Sequence, residues 1–222
     1  MDGDKHIERH RQSEGVFSEQ EGAFQFHPTH LAGDENKLNL FAPEDIIFWA
    51  ACLVLFFGLL RKLNVFGAPT FHPEKQLTRD CFTVENNHSL TVHVKWSKTI
   101  QKKERSLKIV FHSLHPHPLC PVTAVLHAFK CTQPCEPKAQ AFPLFSAKFN
   151  HKITALAGPS FSSYSFCRGG VTHTLSCNIP LAIIKASEDW QSKVFLNYLD
   201  QLPQTVLDHY RHVFANNLPS VP

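Results

Sequence analysis

Fifteen consecutive residues, Ile46 to Leu60, are apolar except for Gly58, and the run is bounded by Glu44-Asp45 on one side and Arg61-Lys62 on the other. Such a segment has to be hidden from water along its whole length, so the fold must be built around it. As a helix it rises about 22 Å, short of the roughly 30 Å hydrocarbon core of a bilayer, which favours a buried core helix over a membrane span. Pro43 fixes φ for a first turn, and Glu44 and Asp45 lie where the helix dipole favours acids. The helix is therefore predicted to start near Pro43 and to run to about Lys62.

Around this segment the chain has the material for one core. Its 222 residues include 19 Phe and 3 Trp, while 15 Pro point to short elements joined by turns. Leu90, Val92, Val94 and Trp96 alternate with polar residues as in a half-buried strand, and Leu107 to Phe111 fits a second. The two predict an antiparallel hairpin. Pro121 would open a helix from Val122 to Lys130; Ser146 and Gly158 would start and stop another. Ser162 or Ser163 would cap a helix through Ser176, Pro180 would open one through Ala186, Ser192 would cap one through Leu199, and a last would cover Gln204 to Ala215. Six or seven short helices with a small antiparallel sheet make an α+β chain.

Charge is unevenly placed. Residues 1–40 carry 8 acids against 4 bases and lack periodicity, which reads as a flexible acidic leader, whereas the remainder carries 11 acids against 18 bases. Six bases, Lys95, Lys98, Lys102, Lys103, Arg105 and Lys108, fall between residues 95 and 108 against the single acid Glu104. That density is an electrostatic footprint for phosphates, or else a solvated hairpin tip. Arg61-Lys62 ends the buried helix, Arg168 adjoins Gly169-Gly170, and the chain has only three tyrosines, Tyr164, Tyr198 and Tyr210. Arginine, lysine and tyrosine together are suited to phosphoryl transfer. The seven cysteines, an odd number with no apolar leader ahead of them, read as reduced and intracellular.

These segments, in this order, resemble the tyrosine recombinases of phage-integrase type. The run from Phe48-Trp49 to Arg61-Lys62 resembles the first arginine motif, Trp96-Ser97-Lys98-Thr99 the hairpin with the lysine, Leu119-Cys120-Pro121-Val122 the following helix entry, Ser165-Phe166-Cys167-Arg168-Gly169-Gly170 the His-x-x-Arg box, and Asp189-Trp190 with Tyr198-Leu199 the closing segment. The style is that of recombinases from eukaryotic mobile elements of the Crypton and tyrosine-recombinase retrotransposon kind. The resemblance implies a mostly helical catalytic domain of the DNA breaking-rejoining fold over residues 41–216, with a small antiparallel sheet and a tail over 217–222.

It also implies roles. Tyr198 would attack a DNA phosphodiester to give a 3′-phosphotyrosyl bond; Arg61 would clamp two non-bridging oxygens with its planar fork; Lys98 would protonate the leaving 5′ oxygen; Trp190 would donate an N–H to the phosphate. Lys62, Lys95, Lys102, Lys103, Arg105 and Arg168 would contact the DNA backbone. Two positions depart from the family: Tyr164 stands at the His of the box and Cys167 at its Arg. A neutral thiol cannot replace a guanidinium, so a catalytically impaired recombinase is expected, the alternative being a non-catalytic DNA-binding or interaction module. Taken singly, Arg61 can be a helix end, Lys98 a solvated base, Trp190 core and Tyr198 an interface residue; the ordered set favours the recombinase.

The expected partner is double-stranded DNA, with room for a homo-oligomer on it and no membrane or small-molecule substrate. The expected location is nuclear, or cytoplasmic before import. His112-x-x-His115-x-His117-x-x-Cys120 and Cys131-x-x-x-Cys135 have spacings open to zinc, but Pro116, Pro118, Pro134 and Pro137 give a rigid loop without ligand geometry. No metal or cofactor is expected.

Overall fold

The computed structural model describes residues 37–67, 70–85, 89–96, 107–132, 136–144, 146–177 and 179–188. Among them are six helices: α1 (Pro43–Phe57), α2 (Lys62–Val65), α3 (Pro121–Cys131), α4 (Ser146–Ala157), α5 (Ser163–Ser176) and α6 (Leu181–Glu188). One three-stranded antiparallel sheet accompanies them, β1 (Phe82–Glu85), β2 (Ser89–Val94) and β3 (Leu107–His112), in the order β1-β2-β3. The α+β class expected from the sequence is the one observed. The expected helices over 192–199 and 204–215, and the leader up to residue 36, lie outside the described residues.

α1 is the axis of the fold. Every residue from Ile46 to Phe56 is buried, as a helix apolar on all sides demands, and α3 and α5 pack against it. Its start is fixed by charge. Lys148 of α4 reaches Glu44 at 2.7 Å, Lys152 pairs with Asp45 while lying 5.2 Å above the Phe48 ring, and Asp45 Oδ2 accepts the Asn39 N–H at 2.8 Å. The hydrogen bond from Lys148, and then its charge, hold the Glu44 carboxyl below its ordinary pKa. Phe149 carries α4 onto the core, its ring 5.1 Å from Phe48, 4.6 Å from Phe66 and 6.0 Å from Phe166. No helix among the described residues is long and apolar enough to cross a membrane.

The predicted antiparallel pairing of β2 with β3 is present, with Val92 opposite Ile109 and Val94 opposite Leu107, while the basic link over 97–106 lies outside the described residues. Leu90, Val92 and Val94 are buried as the alternation requires. β1, which was not expected from the sequence, is four residues whose burial is slight and which owe their extended form to pairing with β2 from Phe82↔Val92 to Glu85↔Ser89. Helix starts fall where the caps put them. Ser162 accepts the Tyr164 N–H at 3.3 Å while Ser165 Oγ accepts the Ser162 N–H at 3.1 Å, a reciprocal cap. Gly158 ends α4 at φ +101°, the left-handed region where glycine alone is unstrained.

The end of α1 differs from expectation. The helix stops at Phe57 instead of continuing to Lys62, because Leu59 adopts φ +53° and turns the chain. Leu59 N–H donates to Phe56 O at 3.3 Å and Leu60 N–H to Leu55 O at 3.1 Å, the paired bonds of a Schellman turn with leucine in the place glycine usually takes. Local apolarity hid this stop, since leucine is among the least expected residues at positive φ.

Candidate functional site

The Schellman turn delivers the chain to Arg61 and then to α2. Arg61 is extended (φ −78°, ψ 150°) and caps that short helix, its N–H donating to Asn64 Oδ1 at 3.1 Å. The other end of the Asn64 amide donates to the carbonyl of Trp96 at 2.9 Å, and its backbone carbonyl accepts from Leu77 N–H at 2.8 Å. Asn64 is 5% exposed, so an unmatched amide there would be costly and all three bonds matter. Through this one side chain the arginine turn is fastened to the end of β2, the strand that leads into the basic link. Gln76, also buried, donates to Leu63 O at 3.1 Å and accepts His72 N–H at 2.7 Å, closing the far side of α2.

α5 reaches the same turn from the other direction. The Cys167 thiol donates to the Leu59 carbonyl at 3.0 Å. One turn further on, Gly170 lies so close to α1 that an added Cβ would stand 2.1 Å from Phe56 O and 2.7 Å from Leu59 Cδ2. Three segments far apart in sequence, around residues 59–64, 96 and 167–170, therefore converge on one turn. They are the segments whose sequences resemble the arginine motif, the hairpin and the His-x-x-Arg box.

The expected site residues fall as follows. Arg61 and Lys62 are half-exposed, and among the described residues no carboxylate pairs with either. Tyr164 and Cys167 are one helical turn apart on α5 but divided, the tyrosine 53% exposed and the cysteine buried. Arg168 is half-buried on the same helix. Lys95 does not project freely: it donates to Asp80 at 3.1 Å and to Thr78 Oγ1 at 3.3 Å, and Thr78 also bonds Asp80. Lys98, Lys102, Lys103, Arg105, Trp190 and Tyr198 lie outside the described residues. Asn64 was not anticipated; its signal was a lone amide in an otherwise apolar Leu63–Phe66 stretch, three residues after the arginine.

Burial raises the Asp80 carboxyl, but hydrogen bonds from Thr78 and Lys95 outweigh it and leave the group below the ordinary aspartate value. Burial likewise lowers Lys95, and the bond to Asp80 with neighbouring negative charge more than offsets this. An acid with a depressed folded pKa stabilises the fold above its unfolded pKa of about 4 and ceases to do so as pH falls through the folded value. Urea unfolding should therefore favour wild type over Asp80→Asn at pH 6, with the difference shrinking as pH falls below about 4.

Of the His and Cys spacings noted for zinc, Cys135 lies outside the described residues. Among the described residues no three His, Cys, Asp or Glu side chains are grouped to hold a metal, and the six described cysteines form no disulfide. Cys120 acts as the helix-entry residue instead. Its sulfur caps α3, accepting from Thr123 Oγ1 at 3.2 Å and from Leu114 N–H at 3.2 Å. Burial raises this thiol's pKa, and the bonds from Thr123, Leu114 and Ser113 reverse the effect, leaving it below the ordinary value.

No family model matches the chain, and no curated protein matches it in sequence. Solved structures do match in fold. A XerH site-specific recombinase bound to palindromic difH substrate, a post-cleavage complex, superposes with a TM-score of 0.58 at 14% identity over 87% of this chain and 54% of that one. The pre-cleavage complex of XerH with difH substrate gives a TM-score of 0.53 at 13% identity over 86% and 54%. The chain spans about half the length of these recombinases. Its fold is that of a tyrosine-recombinase catalytic domain.

Proposed function

We propose that this chain binds double-stranded DNA through its phosphate backbone, as a tyrosine-recombinase-like protein whose strand-cleaving chemistry is impaired. The observation that supports the reading is the convergence of the segments around residues 96 and 167–170 on the Leu59–Asn64 turn, which carries an arginine with no described carboxylate partner. A half-exposed arginine whose main chain is held and which no described acid engages is available for bidentate contact with a phosphate. Lys62 beside it and the bases of residues 98–105 would extend the contact along the backbone, while Tyr198 would be the nucleophile and Lys98 the acid.

The impairment follows from the box. Tyr164 offers a phenol where an acid–base histidine is needed, and the Cys167 thiol supplies no positive charge and is occupied by a main-chain carbonyl. Losing a transition-state donor costs roughly 10²–10³ in rate and losing an acid–base group roughly 10²–10⁴. A second reading, a binding module with no chemistry, is favoured by the burial of Cys167. Origin in a eukaryotic mobile element, nuclear location and self-association on DNA belong to the same proposal.

Binding to a fluorescent duplex of mixed sequence tests it. The affinity should fall steeply with salt, as phosphate contacts release counterions. Arg61→Ala should weaken it by about tenfold or more, the value of a hydrogen bond to a charged group, and reduce the salt slope by about one. A salt-independent affinity, or one unmoved by Arg61→Ala, would rule the reading out.

A further inference from the structure

We infer that Cys167 is a positioning residue, whose thiol locks the left-handed turn at Leu59 and so sets the direction in which Arg61 leaves the core helix. The inference rests on the proposed role of Arg61 in holding phosphate.

The turn needs a lock. Leucine at φ +53° occupies a region that L-residues with a branched side chain avoid, at a cost that surrounding structure must offset. The Schellman bonds from Leu59 and Leu60 stabilise the helix end, but they involve the N–H groups and not the Leu59 carbonyl. That carbonyl belongs to a residue 5% exposed, where water is a poor substitute for a protein donor. Cys167 provides one, at 3.0 Å, from a helix 108 residues further along the chain. Gly170, one turn later on the same face of α5, brings the helix close enough for the thiol to reach. The carbonyl lies two residues before Arg61, so its orientation fixes the peptide plane from which Leu60 and then Arg61 depart. From Arg61 onward, Asn64 holds the chain by accepting the Arg61 N–H. The arginine is thus set between two fastenings, a thiol before it and an amide after it.

The position the resemblance gives to a catalytic arginine therefore has a different occupation in this chain. It does not meet phosphate; it acts on the residue that does. Serine retains the donor at Cys167 and alanine removes it, which makes the pair a clean comparison.

Two measurements test the lock, both on the full chain. In hydrogen exchange, the amides of residues 59–61 should exchange faster in Cys167→Ala and at the wild-type rate in Cys167→Ser. In duplex binding, Cys167→Ala should weaken affinity by about two- to threefold, the lower end of a hydrogen bond's worth because a thiol is a weak donor. It should add no further loss in an Arg61→Ala background, because its effect passes through that side chain. Exchange unchanged in Cys167→Ala overturns the lock, and so does an equal loss of affinity in both backgrounds. If wild type and Arg61→Ala bind the duplex alike, the proposed function fails, while the exchange comparison still decides for or against the lock.

Discussion

Gly170→Ala should destabilise the protein by about 2 kcal/mol, a fall in Tm of roughly 4–8 °C for a chain of this size, although the same change in most helices is favourable. Two effects oppose each other. Alanine gains about 1 kcal/mol over glycine in a helix interior. Here, however, its Cβ would stand 2.1 Å from the carbonyl oxygen of Phe56 and 3.1 Å from that carbonyl's carbon. The obstruction is main chain of the most buried of the described helices, which cannot swing aside as a side-chain tip can. Overpacking of this kind costs about 3 kcal/mol, so the loss exceeds the gain. Thermal unfolding of the two proteins reads the result directly, and an alanine variant more stable than wild type would mean that α5 does not approach α1 as described.

The largest effect is expected in covalent chemistry. On a nicked suicide duplex, wild type should leave little trapped protein–DNA adduct, and the double change Tyr164→His with Cys167→Arg should raise its rate of formation by about 10²-fold or more. The increase reflects one restored charge donor and one restored acid–base group, whose contributions are not additive. Tyr198→Phe in the repaired background should abolish the adduct. Abundant adduct from wild type would refute the impairment. A folded repaired variant that binds duplex and forms none would favour the module without chemistry. Unfolding curves for both proteins separate these outcomes from a packing failure at Cys167, a site 2% exposed.

Much of the fold was legible because its determinants are local. The apolar run from Ile46 favoured a buried helix, and Pro43, Ser146, Ser162 and Gly158 are strong start and stop signals that held to within a residue. What escaped the sequence depends on partners distant along the chain. β1 is extended because β2 lies beside it, and α1 stops at Phe57 because a leucine is held in a conformation it would not choose alone. The same division runs through the site. The order of motifs pointed to Arg61 and to Tyr164 and Cys167 as the departures from the box, but not to how those two are turned: Tyr164 faces solvent while Cys167, three residues on, faces inward onto Leu59. Lys95 illustrates a limit of counting charges, since one of the six bases in its cluster is already engaged by Asp80, a residue that shows no relation to it in sequence. Asn64 could be recognised as exceptional by its polarity, yet its two partners could not.

The Asn64 amide has a mechanical meaning. One side of it grips the main chain of Arg61 and the other the main chain at the root of the basic hairpin. A load on the hairpin, such as a nucleic-acid strand drawing its tip, is passed by a carboxamide a few ångströms long to the backbone of the arginine. The two would move as one piece.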